Sequence, residues 1–276
     1  MIKIDTTKRA LNWDVLTIKR RGVIGDVAYA KSEAMWVASS STLLWGERDA
    51  ILIDTFPSWE QSKLQVEWVA ASGKNLTAVY MTRAHGDHFL GLAPLLECFP
   101  RARVVAIPQV VDAIFTRIAE RLIVAEPLQE AQFELEGHTL VAVETGRTDT
   151  PCSTSLHVPH LGLLVAGGVV YNGVHPYLDE TDTQSRREWI AVLDKLEALR
   201  ANVVVAGHKV PDNPDDPRDI ARTRQYLRDF NLVEKATTTA QELYEAMLDL
   251  YPDRANPGSL WSAAKATKTR RHGPIH

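Results

Sequence analysis

The stretch from Leu76 to Gly91 constrains the fold more than any other part of the chain. Leu76 to Met81 is an apolar run of β-strand character that empties into Thr82-Arg83-Ala84-His85-Gly86-Asp87-His88. Apolar residues and Gly91 then resume as the start of a helix would. A polar loop at the carboxyl end of a strand is where α/β proteins place ligand-binding groups. Two imidazoles and a carboxylate in that loop make a donor set suited to zinc or a similar divalent ion.

The rest of the chain reads as the frame for such a loop. Strands are expected over 15–18, 34–45 and 49–55, the last ending Leu52-Ile53-Asp54-Thr55. Helical spacing covers 58–72 and stops at Gly73; the alternation continues with a helix over 91–98, a strand over 103–107 and a helix over 108–122. Strand, helix and strand in turn are the βαβ pattern of a layered fold. A second set of strands follows: a hairpin over 133–144 turning at Gly137, then 153–158, 162–166 and 203–206. Between the last two lies an amphipathic helix over 183–200 carrying Trp189, Leu193 and Leu196. The punctuated run 214–217 precedes helices over 219–232 and 239–250 and a tail over 259–266. These readings divide the chain into a layered domain, 1–216, and a helical extension, 217–276, packed on it.

A chain of 276 residues can bury a substantial core. Its net charge of -4 argues against nucleic acid or an anionic membrane as the main partner. Only two cysteines, Cys98 and Cys152, occur, too few for a disulfide framework, and no run suits a bilayer span or a signal peptide. The expectation is a cytoplasmic protein acting on a small molecule. A helical tail carrying Trp261 is consistent with a homodimer.

The loop resembles the Thr-His-x-His-x-Asp-His signature of the metallo-β-lactamase superfamily, with Arg83 at the first histidine. The Leu-Ile-Asp-Thr ending at Asp54 and the Gly207-His208 pair are similar to further motifs of that family, and the resemblance covers roughly 34–210. It implies an αββα sandwich: two mixed β-sheets face to face with helices outside, and the site at one edge on the loops after 82, 145, 167 and 206. It also implies two metal positions. The first would use residues 83, 85 and 147, where Arg83, His85 and Arg147 stand, so His85 alone survives. The second would use Asp87, His88 and His208 with a bridging aspartate, which Gly168 replaces. Three protein ligands and an open position are a catalytic zinc set, and two histidines with a carboxylate equally suit ferrous iron.

The surviving metal-ligand candidates are thus His85, Asp87, His88 and His208, holding one zinc or iron ion or none. Arginine stays protonated and cannot ligate zinc, but Arg83 and Arg147 could offer forked donors to an anionic group or oxyanion, with Asp87 beside them. Tyr171, Asn172, His175 and Tyr177, after the strand that ends near Gly168, are candidate substrate contacts together with the two arginines. The leading functional reading is a hydrolase of an ester, lactone or amide-type substrate using at most one metal. Two others stand beside it: a metal-independent lyase, isomerase or cyclase that holds an anionic or polyoxygenated substrate on the arginines, and a non-catalytic binding protein.

Overall fold

The structure is a computed structural model that describes residues 10–21, 36–117 and 125–271. Six strands form the first sheet in the order β1 (Asn12–Arg21), β2 (Trp36–Trp45), β3 (Asp49–Ile53), β4 (Asn75–Tyr80), β5 (Arg103–Ala106) and β6 (Glu126–Pro127). The first three pair antiparallel and the remainder parallel. The second sheet has the order β11-β10-β9-β8-β7, built from β7 (Gln132–Leu135), β8 (His138–Gly146), β9 (Ser153–Val158), β10 (Leu163–Asn172) and β11 (Val203–Lys209). Its β10–β11 pair is parallel and the others antiparallel, so both sheets are mixed.

The αββα sandwich is read directly from the side chains of β10 and β11. Leu163 and Val165 join the core cluster shared with the first sheet, whereas Leu164 and Ala166 join the cluster beneath the outer helices. Val205 and its neighbours Val204 and Ala206 divide in the same way. This alternation follows from the period of two along a strand. Every residue of β10 is buried, which requires cover on both faces and gives a near-continuous apolar run.

Helices α1 (Trp59–Ala71), α3 (Leu92–Cys98) and α4 (Pro108–Arg117) lie with the first sheet, and the four-residue α2 (Gly86–Phe89) falls inside the polar loop. On the other side, α5 (Thr183–Glu197), α6 (Arg218–Ala236), α7 (Ala240–Leu250) and α8 (Pro257–Arg271) share one core cluster with β10 and β11. Helix starts at α5 and α7 are set by reciprocal capping boxes, Asp182 with Ser185 and Thr239 with Glu242. The buried Arg186 guanidinium of α5 donates to Glu234 of α6 and, at 2.7 Å, to Asn231 Oδ1, pinning the two helices together.

Boundaries differ from the sequence expectations at β10 and at the tail. Strand β10 continues past Gly168 to Asn172, because register shifts around Gly167 let it bend without ending. The tail, expected over 259–266, is the longer helix α8 at 257–271: Lys268 is buried and its ammonium donates to Glu234 O at 2.8 Å and Thr237 O at 2.6 Å, at the end of α6. The expected helix over 108–122 and strand over 34–45 extend into residues outside those described. Among the described residues, no helix is long and apolar enough to cross a membrane.

Candidate active site

The site begins where β3 and β4 end side by side. Asp54, at the end of β3, adopts φ 60°, a left-handed conformation that costs a non-glycine residue energy and needs local partners to hold it. Thr82 and His88 are those partners. The Asp54 Oδ1 accepts from Thr82 N at 2.8 Å, and its Oδ2 accepts from Thr82 Oγ1 at 2.7 Å and His88 Nδ1 at 2.8 Å. The backbone closes the same junction, with Thr55 N donating to His88 O at 2.7 Å and Gly91 N to Thr55 Oγ1 at 3.1 Å.

These bonds fix the protonation pattern of the histidines. A carboxylate only accepts, so His88 carries its proton on Nδ1 and presents Nε2 as a lone pair. That Nε2 is buried with no hydrogen-bond partner among the described residues. His208, at the end of β11, lies with Nδ1 2.9 Å from Ala38 O on β2, and a carbonyl likewise forces the lone pair onto Nε2. His208 Nε2 stands 3.6 Å from Asp87 Oδ2, and His88 Nε2 3.9 Å from Asp87 Oδ1. Ligand atoms of Asp87, His88 and His208 all lie within 4.8 Å of one another. Two imidazole lone pairs, each fixed by a bond at the other ring nitrogen, and a carboxylate fit a divalent ion such as zinc or ferrous iron. Burial pushes His208 down to about 4, which keeps that lone pair free. Burial raises the Asp87 carboxyl, but His88, His208 and Arg83 more than offset this and hold it below the usual carboxylate range.

Arg83 takes a different part from a swung-in substrate clamp. It is 1% exposed and ion-paired with Asp149, which also accepts from Tyr171 Oη at 2.8 Å and from Thr148 Oγ1 at 3.1 Å. A Cβ built on Gly168 would lie 1.2 Å from Arg83 Nη1, so the guanidinium fills the space that any larger residue at 168 would need. Burial works against the Arg83 charge, and Asp149 restores it; Asp149 is itself held low by Arg83 against the effect of burial. His85 is drawn into this group instead of the metal-ligand cluster. Arg83 Nη2 donates to His85 Nδ1 at 2.7 Å, which leaves the His85 proton on Nε2, 3.4 Å from Glu180 Oε1. Burial and the adjacent guanidinium push His85 down to about 3, so it is neutral with no lone pair to offer at Nε2.

These groups open on a cavity of about 530 Å³, lined by Arg83, His85, Asp87, Tyr171, His175, Tyr177 and His208 among others. Two expected contacts lie elsewhere. Arg147 is exposed and does not line the cavity, because the turn after Gly146 points its side chain outward and brings Asp149 inward. Asn172 is absent from the lining too, since its amide is used internally, donating to Pro214 O at 2.9 Å and accepting from Asn213 at 2.7 Å. The sequence reading missed Asp149, Arg20, Asp179, Glu180 and the first turn of α8, all of them in or beside the cavity. A signal for Asp149 existed: a buried arginine demands a carboxylate, and Asp149 is the acid of the loop after β8, one of the loops expected at the site.

Residues 34–208 match the family model described as the metallo-beta-lactamase superfamily. Among solved structures, a metallo-beta-lactamase from Pontibacter korlensis is 17% identical with TM-score 0.62, covering 80% of this chain and 100% of that one. A metallo-beta-lactamase family protein from Thermus thermophilus is 19% identical with TM-score 0.62, covering 94% of this chain and 93% of its own. A third, from Hirschia baltica, is 16% identical with TM-score 0.59 over 79% of this chain and 98% of its own. At these identities the likeness is one of fold. No curated protein sequence matches this chain.

Proposed function

The chain belongs to the metallo-beta-lactamase superfamily, and from that premise we propose that it is a hydrolase of an ester, lactone or amide-type substrate that works with a single divalent ion. The observation that carries this reading is the orphaned, buried Nε2 of His88 facing the Asp87 carboxylate and the His208 ring. Asp87, His88 and His208 would hold the ion, and Asp54 and Ala38 O aim the two imidazoles. When bound, such an ion supplies Lewis acidity toward water and the substrate carbonyl.

The remaining work falls to this chain's own groups. Arg83 is a fixed cation in the cavity wall, positioned by Asp149 and Gly168 to favour negative charge developing on a substrate oxygen. His85 presents an N–H at Nε2 toward the cavity, and Tyr177 packs edge-on against its ring at 5.6 Å. The Arg83 cation sits among residues that the resemblance assigns to a first metal position, which supports a stoichiometry of one.

Elemental analysis of untagged protein, with zinc and ferrous titration of the chelated form, tests the reading. About one ion per chain, lost in His208→Ala, is expected, together with chelator-sensitive turnover of a lactone or 4-nitrophenyl ester panel. A chain that binds neither ion would overturn the proposal.

A further inference from the structure

The wall of the cavity away from the metal-ligand cluster is built by the segment after β10 and the start of α8, and they are fastened to each other. His175 N donates to Ala255 O at 2.8 Å, Ala255 N to Gly173 O at 3.0 Å, and Ser259 Oγ to Pro176 O at 3.2 Å. The first turn of α8 therefore stands beside His175, and Gly258, Ser259 and His175 all line the cavity.

His175 is fully buried, and its Nδ1 lies 2.9 Å from Tyr226 Oη. Tyr226 is also fully buried, and its hydroxyl has no other hydrogen-bond partner among the described residues. A buried phenol with one acceptor in reach donates its proton there, so the His175 proton sits on Nε2. Burial and the nearby Arg254 guanidinium push His175 down to about 3, so the ring is neutral and Nε2–H is a fixed donor. That atom is buried with no hydrogen-bond partner among the described residues. Arg20 Nε, on the same cavity, is likewise buried without one. In the first turn of α8 Pro257 has no N–H and Ser259 N already donates to Asn256 O at 3.1 Å, so the turn adds the Gly258 amide and the positive end of the helix dipole. The wall also carries carboxylates: Asp179 accepts from Ser262 Oγ, with burial raising its pKa, and Glu180 faces His85.

We propose that His175 Nε2–H and the first turn of α8 form a substrate-binding subsite for an acceptor oxygen, carboxylate or carbonyl, remote from the bond that is cleaved. The proposal rests on reading this cavity as the substrate site. It gives the C-terminal helices a role in choosing the substrate, while the chemistry stays with the loops after β4 and β11.

The test uses full-length, metal-free protein with ¹⁵N-labelled histidine, titrated with glutarate as the carboxylate probe and glutaramide as the carbonyl probe. The His175 resonances are expected to report the Nε2–H tautomer and to shift saturably with at least one probe. His175→Phe should weaken that binding about tenfold or more, and His175→Gln, which keeps a donor, should recover much of it. Zinc affinity should stay within twofold in both variants, so loss of folding or of the metal cluster is separately visible. An Nδ1–H tautomer, no saturable shift with either probe, or equal binding by His175→Phe would each overturn the subsite. Probe binding by a chain that takes up no zinc would instead leave the subsite standing and remove the hydrolase reading.

Discussion

The Arg83 guanidinium occupies the place of a side chain at Gly168: a Cβ there would lie 1.2 Å from Nη1 and 2.2 Å from Cζ. The far end of an arginine normally yields cheaply to such a clash. Here it cannot, because Arg83 is 1% exposed and ion-paired with Asp149, which is itself fully buried. An arginine at 83 and a glycine at 168 are therefore coupled choices.

Gly168→Ala is expected to destabilise the fold by about 1–3 kcal/mol, the usual cost of overpacking a closed site. In an Arg83→Ala background the same substitution should cost much less, although Arg83→Ala alone costs about 3–5 kcal/mol by stranding the Asp149 charge. Chemical denaturation of the double-mutant cycle reads the coupling. Costs that simply add would mean the guanidinium does not fill the space at 168.

A second prediction concerns Asp54, which is outside the Asp87–His88–His208 cluster but holds His88 through Oδ2 while accepting twice from Thr82. Asp54→Asn keeps a side chain that tolerates φ 60° but weakens the acceptor facing His88 Nδ1. Zinc affinity measured by calorimetry is expected to fall about 10–100-fold, with far smaller change in the denaturation midpoint. Unchanged affinity would show that His88 is oriented by something else.

How much of this was legible in the sequence follows the physics of each element. The polar loop after β4, with Asp87 and His88 in it, was plain because an apolar strand breaks abruptly into donors, whereas His208 was pointed to only by the family resemblance of Gly207-His208. The length of β10 was hidden, since Gly167-Gly168 reads as a stop, whereas the strand uses φ 55° at Gly167 to bend and continue. The helical tail was expected over 259–266, but its continuation to Arg271 was hidden by lysines, threonines and arginines until Lys268 is seen capping the carbonyls at the end of α6. Arg83 and Arg147 looked equivalent as residues. Only the turn geometry after Gly146, which buries Asp149 and exposes Arg147, separates them.

That separation gives a third prediction. Arg147→Ala removes an exposed side chain that is outside the cavity lining, and surface changes of this kind shift stability by about 0.5 kcal/mol or less. Zinc affinity, and turnover of any substrate found, should match the parent protein. A large loss of either would place Arg147 in the working site and restore the two-arginine reading.

The last prediction is a dependence on pH. His175 is fully buried and pushed from 6.5 down to about 3, so the folded chain holds it neutral while the unfolded chain protonates it near 6.5. Between those values the unfolded state binds the extra proton, and stability falls as pH falls. The contribution is fully present above about pH 6.5 and is lost toward pH 3 at about 1.4 kcal/mol per pH unit. Because other buried histidines, His85 and His208 among them, act in the same direction, the decisive comparison is with His175→Gln. Urea denaturation from pH 7 to pH 4 should give this variant a slope of stability against pH shallower by about 1.4 kcal/mol per unit, whatever its stability at pH 7. Parallel slopes would mean that His175 is protonated, or reached by solvent, in the folded chain.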